Sequence, residues 1–535
     1  MTDPSNPHDP APTAQYPPRT PPGNRGLRLG LGLGLLVLPL AALVVAYLLP
    51  TLRTIELSFQ SGNPFSDEPA STDPENYSEI AGDVDFLQGF VSVSSLALGL
   101  VIAGAVIAPL VAWCLHSAGS GVRMAARIVW GLAAIAFAPA AMAVAWVLEH
   151  MGSGTAFSDA TIMEWAALIS GVVFGSGVLV ALAAFRGGAE PAKPAKAVVT
   201  AAGLTAFALT AASLQTFTFP YIGGVPSPPA ATPLSHVFRD GFQLFDSGRA
   251  AARSTVLLAI LAVLGLGAAL LFILTRTRIE VSPGPGRPRR FRAGAGIAGI
   301  LLLILFAAGV LVNLLPWLTR LNGDSNAVYE EIDVVIETWG PPLITTGVAL
   351  VTSLAGGFAI GALRPFGEHS RWLLLLFAPW LFVGSGPLAI AGHESLVEAE
   401  AMTTFTGLVP RAWIAVPALF VFTALFWGLE DRRRSMTAQG APASKSNGSF
   451  AAAAWPLVAL VGMVLWLVNA NDMVWQMVAG GATAVQAMLQ VLYSFDSEVA
   501  GVGIGYPLAL FGLFAAAMVA AAVFYLPRVG VKVGR

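Results

Sequence analysis

Cysteine and charge are what this 535-residue chain has least of: it holds one cysteine, and only 11% of its residues are charged. The lone thiol, Cys114, excludes an intrachain disulfide and a cysteine-ligated metal site, and it reads as a small core residue. A soluble domain carries about 25% charged residues, so this chain has roughly half the charge that a water-facing surface needs. Missing as well are Gly-x-x-x-x-Gly-Lys-Ser/Thr, His-Glu-x-x-His and Gly-x-Ser-x-Gly patterns, which removes a phosphate loop, a zinc-protease helix and a nucleophile elbow. No catalytic residue, metal or cofactor is therefore assigned, and ATP could act only through a partner. The histidines are scattered, with His116, His150, His236 and His393 at span ends or in loops, and they read as structural or solvated.

What the chain does have is apolar length. Hydrophobic residues make up 56% of it and the mean hydropathy is +0.71, far more apolar surface than one soluble core would bury. About 20 apolar residues cross the hydrocarbon layer as a helix. Spans are placed near 28–50, 88–115, 124–148, 163–185, 197–222, 250–275, 293–316, 342–363, 372–392, 410–429, 451–471 and 501–527. The expected fold is an all-α membrane protein of about twelve transmembrane helices. Between the sixth and seventh spans lies RTRIEVSPGPGRPRRFR, residues 276–292, with six arginines and no apolar run. Such proline-rich sequence is semi-extended and suits a tether between folded units. The expected organisation is thus a disordered tail at 1–27, a six-helix half at 28–275, the linker at 276–292, a second six-helix half at 293–527 and a tail at 528–535.

Charge sorts the loops. Arg25, Arg28, Arg123, Arg127, Arg186, Lys193, Lys196, the linker, Arg364, Arg371, Arg432, Arg433, Arg434 and Arg528 fall on one side. Acidic segments at 61–85 and 322–337, with Glu394, Glu398 and Glu400, fall on the other. By the positive-inside rule both termini are cytoplasmic, in a plasma or inner membrane. Only Arg239, Arg249 and Arg253 run against the pattern.

The first span ends in Pro50 and Ser58-Phe59, and a polar loop carries Asn76-Tyr77 before the second span opens at Asp85-Phe86. The first half closes with Gln215, Thr216, Phe217, Thr218, Phe219, Tyr221, Gly223-Gly224 and Pro226, then Thr232-Pro-Leu234 and a helix of small residues. Together these resemble the permease subunits of binding-protein-dependent ABC importers for carbohydrates, the maltose-permease type. The second half resembles the partner subunit, with Trp339-Gly-Pro341 opening a small-residue helix, Arg364-Pro-Phe366-Gly367 as a basic turn, and Asn469-Ala-Asn471-Asp472 before Trp475. The resemblance implies a fused permease that imports a sugar-like solute, with a cytoplasmic ATP-binding subunit and an extracytoplasmic solute-binding protein as partners. The acidic outer segments would be docking surfaces for the latter. No nucleic-acid partner is expected.

The family couples to its ATPase through a Glu-Ala-Ala loop after the fourth core helix. Here the first copy is reduced to 186–196, with Arg186, Glu190 and Lys193, and the second to the surroundings of Thr437 and Gln439. Proline within a short helix costs about 3 kcal/mol, so neither segment should form a coupling helix. A permease-derived scaffold that has lost coupling is therefore an alternative, and a twelve-helix secondary transporter a further one. Polar groups deep in a span are costly unless they face a cavity or partner helices. Gln215, Thr216, Thr218 and Tyr221 on the fifth span, with Asn469, Asn471, Asp472 and Trp475 on the eleventh, are the candidates for a shared substrate cavity. Interhelical hydrogen bonding or interfacial anchoring would explain the same residues.

Overall fold

The computed structural model describes residues 25–61, 71–72, 74–140, 142–143, 145, 173–186, 194–223, 232–282, 293–319, 331–480 and 506–534. Among these, eight helices are long and apolar enough to cross a membrane. The chain is an all-α, multi-pass membrane protein whose only strands, among the described residues, form two short ribbons.

In chain order the helices are α1 (Gly26–Leu57), α2 (Val84–Ser117), α3 (Ser120–Ile135), α4 (Phe174–Arg186), α5 (Pro194–Leu214) and α6 (Ser247–Leu274). They continue as α7 (Ala293–Leu318), α8 (Glu331–Phe358), α9 (Val416–Ala438), α10 (Ala443–Ala470) and α11 (Leu508–Ala520). The expected ninth span, 372–392, is instead a tight 3₁₀ run over Gly367–Leu376 that breaks at 381–385 and resumes as the helix Ala389–Glu398. Glycines and Pro387 at 384–387 remove helix-holding side chains and one amide, which stops the helix there. The expected fifth and eleventh spans are also interrupted, at 215–217 and 471–472, without glycine or proline at the break, before short helices Thr218–Gly223 and Met473–Gly480.

Lipid-facing residues stay apolar and exposed: Leu27 and Val37 of α1 are each 64% exposed, while Leu36 and Leu43 on its other face are buried. Small residues set the closest approaches. A Cβ at Gly177 of α4 would lie 2.5 Å from the Gly104 carbonyl of α2, and one at Gly361 would lie 2.6 Å from the Thr423 carbonyl of α9. Only glycine permits either crossing.

The same order of helix contacts recurs before and after residues 276–292. α2 packs against α4, and α8 against α9; α5 lies along α2, and α10 along α8. Contacts also bridge that segment: α7 packs on α2 and α1 on α8, while α6 packs on the 3₁₀ segment and α11 on α3. The strand Arg278–Val281, which follows α6, pairs antiparallel with Val529–Lys532, which follows α11, in the register Arg278 to Lys532 and Val281 to Val529. The first of these strands lies against α9 and the second against α4. Parts of the expected linker and C-terminal tail are thus joined in one ribbon. β-Branched Ile279, Val281, Val529 and Val531 give both segments the side chains of a strand.

The arginine-rich end is held by ion pairs. Glu430, 3% exposed, accepts from Arg433 (2.7 Å) and Arg434 (2.8 Å), and Arg28 of α1 approaches it at 3.9 Å. Arg364 bonds Asp431 at 2.7 Å, and the Trp427 ring lies between Arg364 and Arg371, each 3.8 Å from its centroid. The desolvated guanidinium faces make both contacts favourable.

Candidate functional site

Two of the sequence motifs meet directly. The Asn76 amide donates to the Ser58 carbonyl (3.1 Å) and the Gln60 carbonyl (3.0 Å), the Tyr77 hydroxyl lies 2.6 Å from Ser58 Oγ, and the Phe59 and Tyr77 rings sit 5.3 Å apart. The Ser-Phe and Asn-Tyr pairs therefore form one clasp that closes the loop between α1 and α2. Gly248, at the start of α6, lies against it; a Cβ there would come within 2.0 Å of the Gln60 carbonyl.

Beside the clasp is a buried ionic cluster. Arg253, wholly buried, is paired with Asp83 and lies 3.2 Å from Asp240, and Arg249 lies 3.1 Å from Asp240. These are two of the three arginines that ran against the charge pattern, and the third, Arg239, lies 3.4 Å from the same Asp240. Each therefore has a carboxylate partner. Burial pushes the Asp240 carboxyl up against the pull of Arg253, Arg249 and Arg239. His236, 3% exposed, has no hydrogen bond at either ring nitrogen. Burial first, then Arg253 and Arg239, lower it to about 4. It is neutral at physiological pH and packs edge-on to Phe86.

The polar residues of the fifth and eleventh spans converge on the break in the ninth. Gln215 donates to the Phe382 carbonyl (2.8 Å) and accepts from the Gly384 amide (2.8 Å). Asp472 accepts from the Ser385 hydroxyl at 2.8 Å and from the Trp475 amide at 3.2 Å. Gln215 and Asp472, more than 250 residues apart in sequence, thus satisfy the backbone and hydroxyl groups freed where the helix stops.

Against this junction lies a cavity of about 660 Å³, lined in part by Gly384, Ser385 and Asp472. Asn469, Asp472 and Trp475 line it, with Tyr47 and Arg53 of α1, the 383–398 segment and the 410–417 turn. Asn469 donates to Thr346 Oγ1 at 3.1 Å, and the Trp475 indole donates to the Leu408 carbonyl at 3.2 Å. Arg53 pairs with Glu394 at 3.0 Å, and Arg411 bonds Ser395. Indole faces, one amide and both signs of charge can hold a polyhydroxylated solute through stacking and hydrogen bonds.

Of the eight candidates, those on the first half do not line this cavity. Gln215 supports its wall from behind. Thr216 gives its carbonyl to Thr232 Oγ1 (2.9 Å), and Tyr221 stacks on Phe217 at 5.0 Å. Thr218 begins the helix that follows the break. Asn471 folds back to the Leu467 carbonyl at 2.8 Å, leaving its carbonyl oxygen buried without a partner. Sequence reasoning missed Tyr47, Ser385, Arg411 and Trp413 as lining residues; the Gly384-Ser385-Gly386-Pro387 run inside an apolar segment was the available signal. Glu394 and Glu398, placed in an outer loop by sequence, sit on the cavity rim.

No family, curated protein or solved structure matches this chain.

At the arginine-rich end, α9 runs to Ala438 and α10 starts at Ala443. Thr437 bonds back to the Arg433 carbonyl (3.0 Å), the Gln439 amide donates to the Ser435 carbonyl (3.1 Å), and Gly440 takes φ +84° to turn the chain. The residues around Thr437 and Gln439 therefore form a helix corner. Arg186 ends α4, and Glu190 and Lys193 lie outside the described residues.

Proposed function

We propose that this chain is the membrane-spanning permease of an ABC importer for a sugar or sugar-like solute, with two six-span half-permeases, 28–275 and 293–527, fused about an approximate twofold. Twelve spans, both termini on the cytoplasmic side, and a plasma or inner membrane location belong to this reading. The observation that carries it is the 660 Å³ cavity beside three interrupted helices, where Gln215 of one half and Asp472 of the other grip the same break. Transporters built from repeats place solute sites at discontinuous helices between the repeats. The matching contacts of the two halves support the twofold, because antiparallel pairing of Arg278–Val281 with Val529–Lys532 is what a twofold between equivalent segments produces. The cavity rim at Arg53 and Glu394 and the arginine cluster around Glu430 lie at opposite ends of α1, as an outward-facing solute site and a cytoplasmic base require.

The chain has no phosphate loop, so a separate cytoplasmic ATP-binding subunit would drive transport, and an extracytoplasmic solute-binding protein would deliver the solute. Copurification of an ATPase subunit with the chain, and ATP-dependent uptake of labelled sugars into vesicles, are the expected results. An intact, folded chain that recruits no ATPase would overturn the proposal. The corner at 439–442, which offers no separate coupling helix, favours a second reading as a permease-derived scaffold. Recruitment of an ATPase by the unmodified chain removes that reading, and uptake abolished by a protonophore but indifferent to ATP would point to secondary transport.

A further inference from the structure

A second cavity of about 700 Å³ lies between α10 and α11, away from the candidate solute site. Alanines on both walls, Ala452 and Ala459 facing Ala517 and Ala521, leave the space that larger side chains would fill. Trp455 and Phe524 at its mouth are 70% and 68% exposed, so the groove opens toward lipid. Along α11 and the turn after it, the lining runs from Leu513 to Arg528. At 1.5 Å per residue that is about 22 Å, more than the roughly 15 Å of one leaflet's hydrocarbon.

One end of the groove is basic. Arg432 and Arg528 both line it. Arg432 donates through one guanidinium nitrogen to the Val281 carbonyl, itself a lining residue, and neither arginine has a carboxylate partner among the described residues. The nearby acids are already engaged: Asp431 with Arg364 at 2.7 Å, and Glu280 with Lys532 at 2.8 Å. Arg528 lies within electrostatic range of a further arginine, Arg186. Two guanidiniums at the arginine-rich end of an acyl-chain-length apolar groove match a lipid with a phosphate headgroup in both shape and charge.

We infer that this groove is a binding site for one anionic phospholipid, its phosphate held by Arg432 and Arg528 and an acyl chain lying along the alanine walls. The site does not depend on the transport proposal.

The test uses the full-length chain in vesicles of equal phosphatidylcholine and phosphatidylglycerol, extracted gently and weighed with its retained lipids by native mass spectrometry. One tightly held phosphatidylglycerol is expected, enriched about thirtyfold over phosphatidylcholine, the ratio that about 1 kcal/mol for each of the two arginines gives. Arg528→Gln with Arg432→Gln should bring the two lipids to parity, and Ala517→Trp, which fills the groove without altering charge, should remove the retained lipid. Monodisperse elution and unchanged helicity identify folded variants. Equal retention of the two lipids by the parent chain would overturn the site. So would undiminished phosphatidylglycerol on folded Ala517→Trp, or no retained lipid at all, the result expected if another part of the chain fills the groove.

Discussion

Replacing Gln215 by alanine isolates the junction on which the proposed site rests. The change deletes the donor to the Phe382 carbonyl and the acceptor for the Gly384 amide, contacts that tie the first half to the break in the ninth span. Its third bond, to the Ala211 carbonyl, is local to α5. Hydrogen bonds between membrane helices average about 0.6 kcal/mol and reach about 1.7. Two such bonds give about 1–3 kcal/mol, the upper end applying if Phe382 and Gly384 are left dry. Gln215→Glu keeps an acceptor for the Gly384 amide but loses the donor and sets a carboxylate against the Phe382 carbonyl, so it should cost at least as much. Reversible unfolding in mixed micelles measures both, with Val199→Ala, at a site 70% exposed on the same helix, as the reference. A loss for Gln215→Ala no larger than that of Val199→Ala would refute the idea that this side chain pins the break.

Asp472→Ala should destabilise by about 1–3 kcal/mol, because Ser385 and the Trp475 amide lose their acceptor; Asp472→Asn retains one and should cost less, which the same unfolding assay reads. Gly248→Ala would press a methyl onto the Gln60 carbonyl and unseat the Asn76 clasp, at a cost of about 1–3 kcal/mol, seen as a lower thermal midpoint. His236 is lowered to about 4 by burial, so between pH 6.5 and 4 the unfolded chain binds a proton that the folded one refuses. Stability should be full above 6.5 and fall by about 3 kcal/mol toward pH 4. His236→Phe should flatten that part of the pH–stability curve, and an unchanged curve would contradict the assignment.

The sequence by itself determined the class of the molecule. Backbone amides in lipid are satisfied by helices or by closed barrels, and continuous apolar runs of about 20 residues, with no alternation, select helices. The chain's economy of charge made the arginine-rich end legible, whereas the contact between Ser58-Phe59 and Asn76-Tyr77 was visible only in the folded chain. Gln215 and Asp472 stood out because polar groups are costly in a span. The tertiary structure alone decided where those groups point. Sequence cannot distinguish a side chain lining a cavity from one satisfying a broken helix, since both are polar residues in apolar surroundings. Only the placement of 382–385 between the two halves made Gln215 a support and Asp472 part of the wall. The pairing of Arg278–Val281 with Val529–Lys532 was equally hidden, because strand partners some 250 residues apart are chosen by the packing of the helices that deliver them. The counter-ions of Arg249 and Arg253 were settled by the same packing.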